Sequence, residues 1–127
     1  MKQCYEWLII GATFTGLGAA YAAYTCKRDV LVIERSSQLG YEYINCFNPG
    51  SDWNSISELS AESVKLRNEL IERQILSEDG QVYIPAVAPV LYNRIKQDNI
   101  PVLLMTDVLN VNKSNDSYDV EIYNTSG

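Results

Sequence analysis

Gly11, Gly16 and Glu34 are the residues whose types and spacing carry the clearest chemistry in this sequence. A glycine ending an apolar run, a glycine opening a helix and a carboxylate closing the next apolar run would act together on one ligand. The helix presents free N–H groups to a pyrophosphate, and the acidic side chain accepts from a ribose hydroxyl. Glu34 follows Gly11 by 23 positions, close to the ~20-residue offset of dinucleotide-binding βαβ units. In the pattern G-x-G-x-x-G, Gly11 takes the first place and Gly16 the third, with Phe14 and Thr15 at the helix start, but the second place falls on Thr13. A threonine there crowds a phosphate in the usual pose, although its hydroxyl can donate to a shifted one. The expectation is weakened or displaced binding. Ala20, four positions after Gly16, suits close packing of the helix on a sheet.

Two other readings of the loop compete. Gly11 and Gly16 also have the G-x-x-x-x-G spacing of a phosphate-binding NTPase loop, but Leu17 and Gly18 stand where Lys and Ser or Thr would hold phosphate and magnesium. An NTPase is therefore not expected. The other is a βαβ unit that binds nothing, its glycines serving only tight turning and packing.

The elements that must position these residues read clearly. Trp7 to Ile10 is an apolar run of the kind that a parallel strand buried on both faces requires, and Gly11 ends it. Gly16 to Tyr24 continues as an Ala-rich helix ending near Cys26, with Lys27 and Arg28 where cations suit a helix C-terminus. Val30 to Ile33 is a second strand, closed by Glu34.

Ser36 to Asn54 reads as a long loop with Gly40, Pro49, Gly50 and the aromatics Tyr41, Tyr43, Phe47 and Trp53. It leaves the C-terminal edge of a strand, where ligands bind in open α/β sheets; an aromatic-anchored surface loop is the plainer alternative. Ser57 to Ser77 reads as a helix capped by Ser57 or Ser60, with Leu59, Val64, Leu66, Leu70, Ile71 and Ile75 on its apolar stripe. Asp79-Gly80 makes a turn, Val82 to Ile84 an extended piece, and Pro85 a boundary. Pro89 falls in the first turn of the next helix, which buries Val90, Leu91 and Ile95, with Tyr92 beside them, and ends near Asp98 or Asn99. Ile100 to Thr106 is a strand for the parallel sheet. Val108 to Val111 and Tyr118 to Tyr123 form an antiparallel hairpin around Lys113 to Ser117.

Composition narrows the function classes. The formal charge of −6 and the lack of a basic patch oppose nucleic-acid binding. There is no histidine, which removes Ser-His and Cys-His catalysis and histidine zinc ligands, and no metal site is expected. Cys4, Cys26 and Cys46 are scattered and read as free thiols. No apolar run reaches the ~18 residues of a membrane span and MKQCYE lacks the apolar core of a signal peptide, so a cytoplasmic location without membrane association is the default expectation.

The stretch VLVIERSSQLG, Val30 to Gly40, resembles the second strand and following loop of FAD-dependent oxidoreductases of the two-dinucleotide-binding-domain type. The resemblance implies that Glu34 binds the adenosine ribose of FAD, that Arg35 lies near the adenine, and that Gly40 is the first of a glycine pair whose second member is Tyr41 here. It also implies an α/β fold: a three-layer Rossmann-like parallel sheet with flanking helices and a C-terminal antiparallel β-hairpin, a partial FAD/NAD(P)-binding domain. Residues 1–127 are expected to form this single domain, cut short at its C-terminus, because the family continues into further strands, a second glycine site near the flavin and a substrate domain.

The candidate cofactor-binding residues are thus Gly11, Thr13, Phe14, Thr15, Gly16, Glu34, Arg35 and Gly40, with FAD as cofactor and NAD as the alternative. Glu34 beside Arg35 would repel a 2′-phosphate, favouring NAD over NADP. A further alternative is a cofactor-free remnant acting as an interaction module, in which Thr13 and Tyr41 mark a lost site. No residue stands out as catalytic acid, base or nucleophile, and the substrate is not legible.

Overall fold

The computed structural model describes residues 4–46, 53 and 60–125. Strand β1 (Trp7–Ile10) leads through the glycine turn into helix α1 (Phe14–Thr25) and back into β2 (Val30–Ile33). The two strands pair in parallel, Trp7 opposite Val30 and Ile10 opposite Ile33. Strand β3 (Val102–Leu103) joins the other side of β2, with Val32 opposite Val102, so the order is β1-β2-β3. Every residue of β2 is buried, as a central strand covered on both faces requires.

β1 departs from expectation. Trp7 is 54% and Ile10 61% exposed, because β1 has a neighbour on one side only and lies at the sheet edge among the described residues. Its apolar sequence is that of a covered strand; its position here is not.

Helix α1 packs on β1 and β2 and buries Leu17, Ala20, Tyr21 and Ala23. Its C-cap is Cys26, and the chain reverses through Lys27 at φ 55°. Lys27 and Arg28 lie just past the helix, where the Arg28 guanidinium pairs with Glu6 at 3.2 Å.

The long connection holds a short helix α2 (Tyr41–Ile44), entered through Gly40. Phe47, Pro49, Gly50, Asn54, Ser57 and Leu59 lie outside the described residues. Helix α3 (Ala61–Glu72) is capped by Ser60, whose Oγ accepts from the Ser63 N–H at 3.2 Å. It ends before the expected Ser77: Gln74 adopts φ 58°, and the chain turns so that Leu76 forms a bridge with Val82. Ile75 therefore packs on the core from outside the helix.

A 3₁₀ turn over Ile84–Ala86, with Pro85 inside it, replaces the end of the expected extended piece and runs into helix α4 (Val87–Gln97). Val87, Val90, Leu91 and Ile95 face the core. Tyr92 is partly exposed and donates its hydroxyl to the Ser37 carbonyl at 2.9 Å.

β3 is far shorter than the Ile100 to Thr106 run. Pro101 supplies no N–H to a ladder, and Met105 turns the chain at φ 53°. The hairpin is longer than expected: β4 (Thr106–Ser114) and β5 (Ser117–Asn124) close on Asn115-Asp116, with Asn115 at φ 51°. A bulge between Val108 and Asn110 turns Leu109 outward. The architecture is thus α/β: a three-layer Rossmann-like parallel sheet with flanking helices and an antiparallel hairpin.

Candidate dinucleotide site

The turn from β1 into α1 has little room. Gly11 sits at φ 102°, a left-handed conformation that side chains disfavour, and its N–H donates to the Ile33 carbonyl at 2.7 Å. A Cβ on Gly16 would lie 1.9 Å from the Gly11 carbonyl oxygen. Only hydrogen fits there, so the helix starts directly against the strand end.

Thr13 is the N-cap of α1. Its Oγ1 accepts from the Gly16 N–H at 3.0 Å, while its carbonyl accepts from the Leu17 N–H at 2.8 Å. The threonine that breaks the glycine pattern therefore satisfies a helix amide that a phosphate could otherwise have used.

Glu34 is 6% exposed, and both its oxygens are engaged. Oε2 accepts from the Ala12 N–H and Oε1 from the Ser36 N–H, each at 2.7 Å. Burial pushes the carboxyl up, but the Ser36 and Ala12 hydrogen bonds and the neighbouring Arg35 charge outweigh it and hold the group below its ordinary value. The strand-closing carboxylate and the start of α1 thus converge on one short loop.

Gly40 joins the same place. At φ 66° it donates its N–H to the Ala12 carbonyl at 2.8 Å, and a Cβ there would lie 3.0 Å from both the Leu91 and Phe14 side chains. Arg35 does not join: its side chain is 82% exposed and its guanidinium lies 3.7 Å from Asp107.

Sequence reasoning missed Glu42. Its Oε1 accepts from the Phe14 N–H at 2.5 Å, which places a carboxylate on the first helical amide of α1. The aromatic content of the loop was the available signal. Tyr43 packs on Phe14 with ring centroids 5.0 Å apart, Trp53 lies 5.9 Å from Tyr43, and this cluster holds α2 over the helix start.

With Phe14 and Gly16 satisfied, the Thr15 N–H has no acceptor among the described residues and is open to an anion. Each Glu34 oxygen has a second lone pair for a hydroxyl. A hydroxyl acceptor and an anion donor are the kinds of group that a sugar and a phosphate oxygen would need. A separate apolar cavity of 450 Å³ lies between α4 and β3, bounded by Leu39, Ile95, Ile100 and Leu104, and includes none of them. Among the described residues no three His, Cys, Asp or Glu side chains are grouped to hold a metal, and no helix is long and apolar enough to cross a membrane.

No family model matches this chain, and no curated protein matches it. Solved structures do. A bacillithiol disulfide reductase from Staphylococcus aureus is 25% identical with a TM-score of 0.62, over 95% of this chain and 34% of that one. A steroid monooxygenase, in its oxidized form bound to NADP, is 20% identical with a TM-score of 0.66, over 93% of this chain and 23% of that one. The FAD-bound form 2 of OTEMO is 16% identical with a TM-score of 0.64, over 98% of this chain and 24% of that one. The chain spans about a third or less of these proteins. In its parallel sheet, flanking helices and hairpin, this chain is similar to part of FAD-dependent oxidoreductases and has their Rossmann-like fold.

Proposed function

We propose that this chain is the N-terminal, ADP-binding part of an FAD-dependent oxidoreductase, holding the adenosine and pyrophosphate of FAD. Flavin redox chemistry, which FAD supplies when bound, then takes place elsewhere. The observation that carries this reading is the bond between the Glu34 carboxylate and the Ala12 N–H, which puts a ribose-type acceptor beside the opening of α1. The likeness to an FAD-bound protein supports it. NAD is the alternative ligand on the same scaffold, and Glu34 disfavours NADP.

Glu42 on the Phe14 amide favours a second reading, an interaction module that carries no cofactor because its own carboxylate fills the anion seat. Calorimetric titration with FAD, ADP and NAD separates the readings. FAD and ADP are expected to bind with NAD weaker, and the protein purified with flavin should absorb in the visible. Absence of FAD and ADP binding at millimolar concentration refutes the flavoprotein reading and leaves the module.

A further inference from the structure

We propose that Glu42 is a built-in competitor for the phosphate seat at the start of α1, so that a phosphate-bearing nucleotide enters only as the carboxylate swings out. The inference rests on the dinucleotide-binding reading above and adds a control to that same site.

Glu42 lies 28 residues beyond Phe14, yet its Oε1 is 2.5 Å from the Phe14 amide. That amide belongs to the first helical residue, where the unsatisfied N–H groups and the helix dipole attract negative charge most strongly. A carboxylate there takes the kind of contact a phosphate oxygen would make.

The contact is only half satisfied. Among the described residues, Glu42 Oε2 is buried and has no hydrogen-bond partner. A buried carboxylate oxygen without a donor carries a desolvation cost, whereas a phosphate brings more charge and more acceptor oxygens to the same amides. The seat is therefore filled by a weak occupant that a stronger anion can displace.

The surrounding groups let it leave alone. Tyr43, next in sequence, is buried against Phe14 and Trp53, and the Gly40 N–H is bonded to Ala12. These contacts fix the backbone of α2, so the carboxylate can depart by rotation about its own side-chain bonds. Phe14 N–H would then join Thr15 N–H as a free pair at the helix start.

A nucleoside without phosphates does not need that pair, which gives the test its contrast. The full chain, wild type, Glu42→Gln and Glu42→Ala, is titrated calorimetrically with ADP and with adenosine, and the Phe14 amide resonance is followed by ¹⁵N NMR. Both variants are expected to bind ADP about tenfold tighter than wild type, with adenosine affinity unchanged and the Phe14 resonance moved by each substitution. If ADP binds wild type and both variants equally, or binds the variants more weakly, Glu42 does not compete; the inference falls while the nucleotide-binding reading stands. If none of the three proteins binds ADP, that reading fails and the inference with it.

Discussion

Glu34 meets two backbone amides of its own chain, and this makes one side chain a determinant of both the loop and the site. Glutamine at that position offers a single acceptor oxygen, leaving one amide facing an NH₂ group. Glu34→Gln is expected to lower stability by about 2 kcal/mol at neutral pH, read from urea unfolding midpoints. The pH dependence follows from the lowered folded value. The unfolded carboxyl titrates near 4.5, so the stabilisation is full above that pH and is lost as pH falls through the lower folded value. The gap between wild type and variant should therefore narrow in acid, and a constant gap would refute the ionic account. Gly11, Gly16 and Glu34 were legible because their spacing follows from the geometry of a strand-helix-strand unit. Glu42 was not, because its place depends on the left-handed turn at Gly40 folding the loop back over α1, and no periodic pattern announces such a return.

One cation links α4 to α3 and α1. Arg94 of α4 reaches Glu69 at 3.1 Å and Glu62 at 3.3 Å on α3, and its guanidinium carbon lies 5.2 Å from the ring centroid of Tyr21 on α1. The Arg94 side chain is 14% exposed, so solvent screens these pairs less than it would at the surface. Burial pushes the Tyr21 hydroxyl up to about 12 against the opposing pull of Arg94. Replacing Arg94 with Met leaves Glu62 only its contact with Lys65 and Glu69 only that with Arg73, both more exposed than Arg94, and a loss of about 1 kcal/mol in unfolding free energy is expected. An unchanged denaturation midpoint would contradict that. At this scale the sequence revealed which elements exist better than where they stop. α3 ends before a left-handed Gln74 and β3 lies between Pro101 and a left-handed Met105, backbone features that the apolar pattern does not carry.

Across the whole molecule, burial is uneven. β2 is enclosed, whereas Leu109, Val111, Tyr118 and Tyr123 of the hairpin are exposed. Hydrogen exchange should reflect this: amides of Val30–Ile33 exchanging slowest and those around Asn115-Asp116 fastest, with the hairpin opening independently of the sheet. Uniform protection across both would mean that hairpin and sheet open as one unit. The contact between Gly16 and the Gly11 carbonyl has a mechanical consequence. Strand end and helix start are in hard contact, so that corner has no slack to widen or slide. A guest of another shape must bend to suit the protein, since the protein cannot yield there to suit its guest.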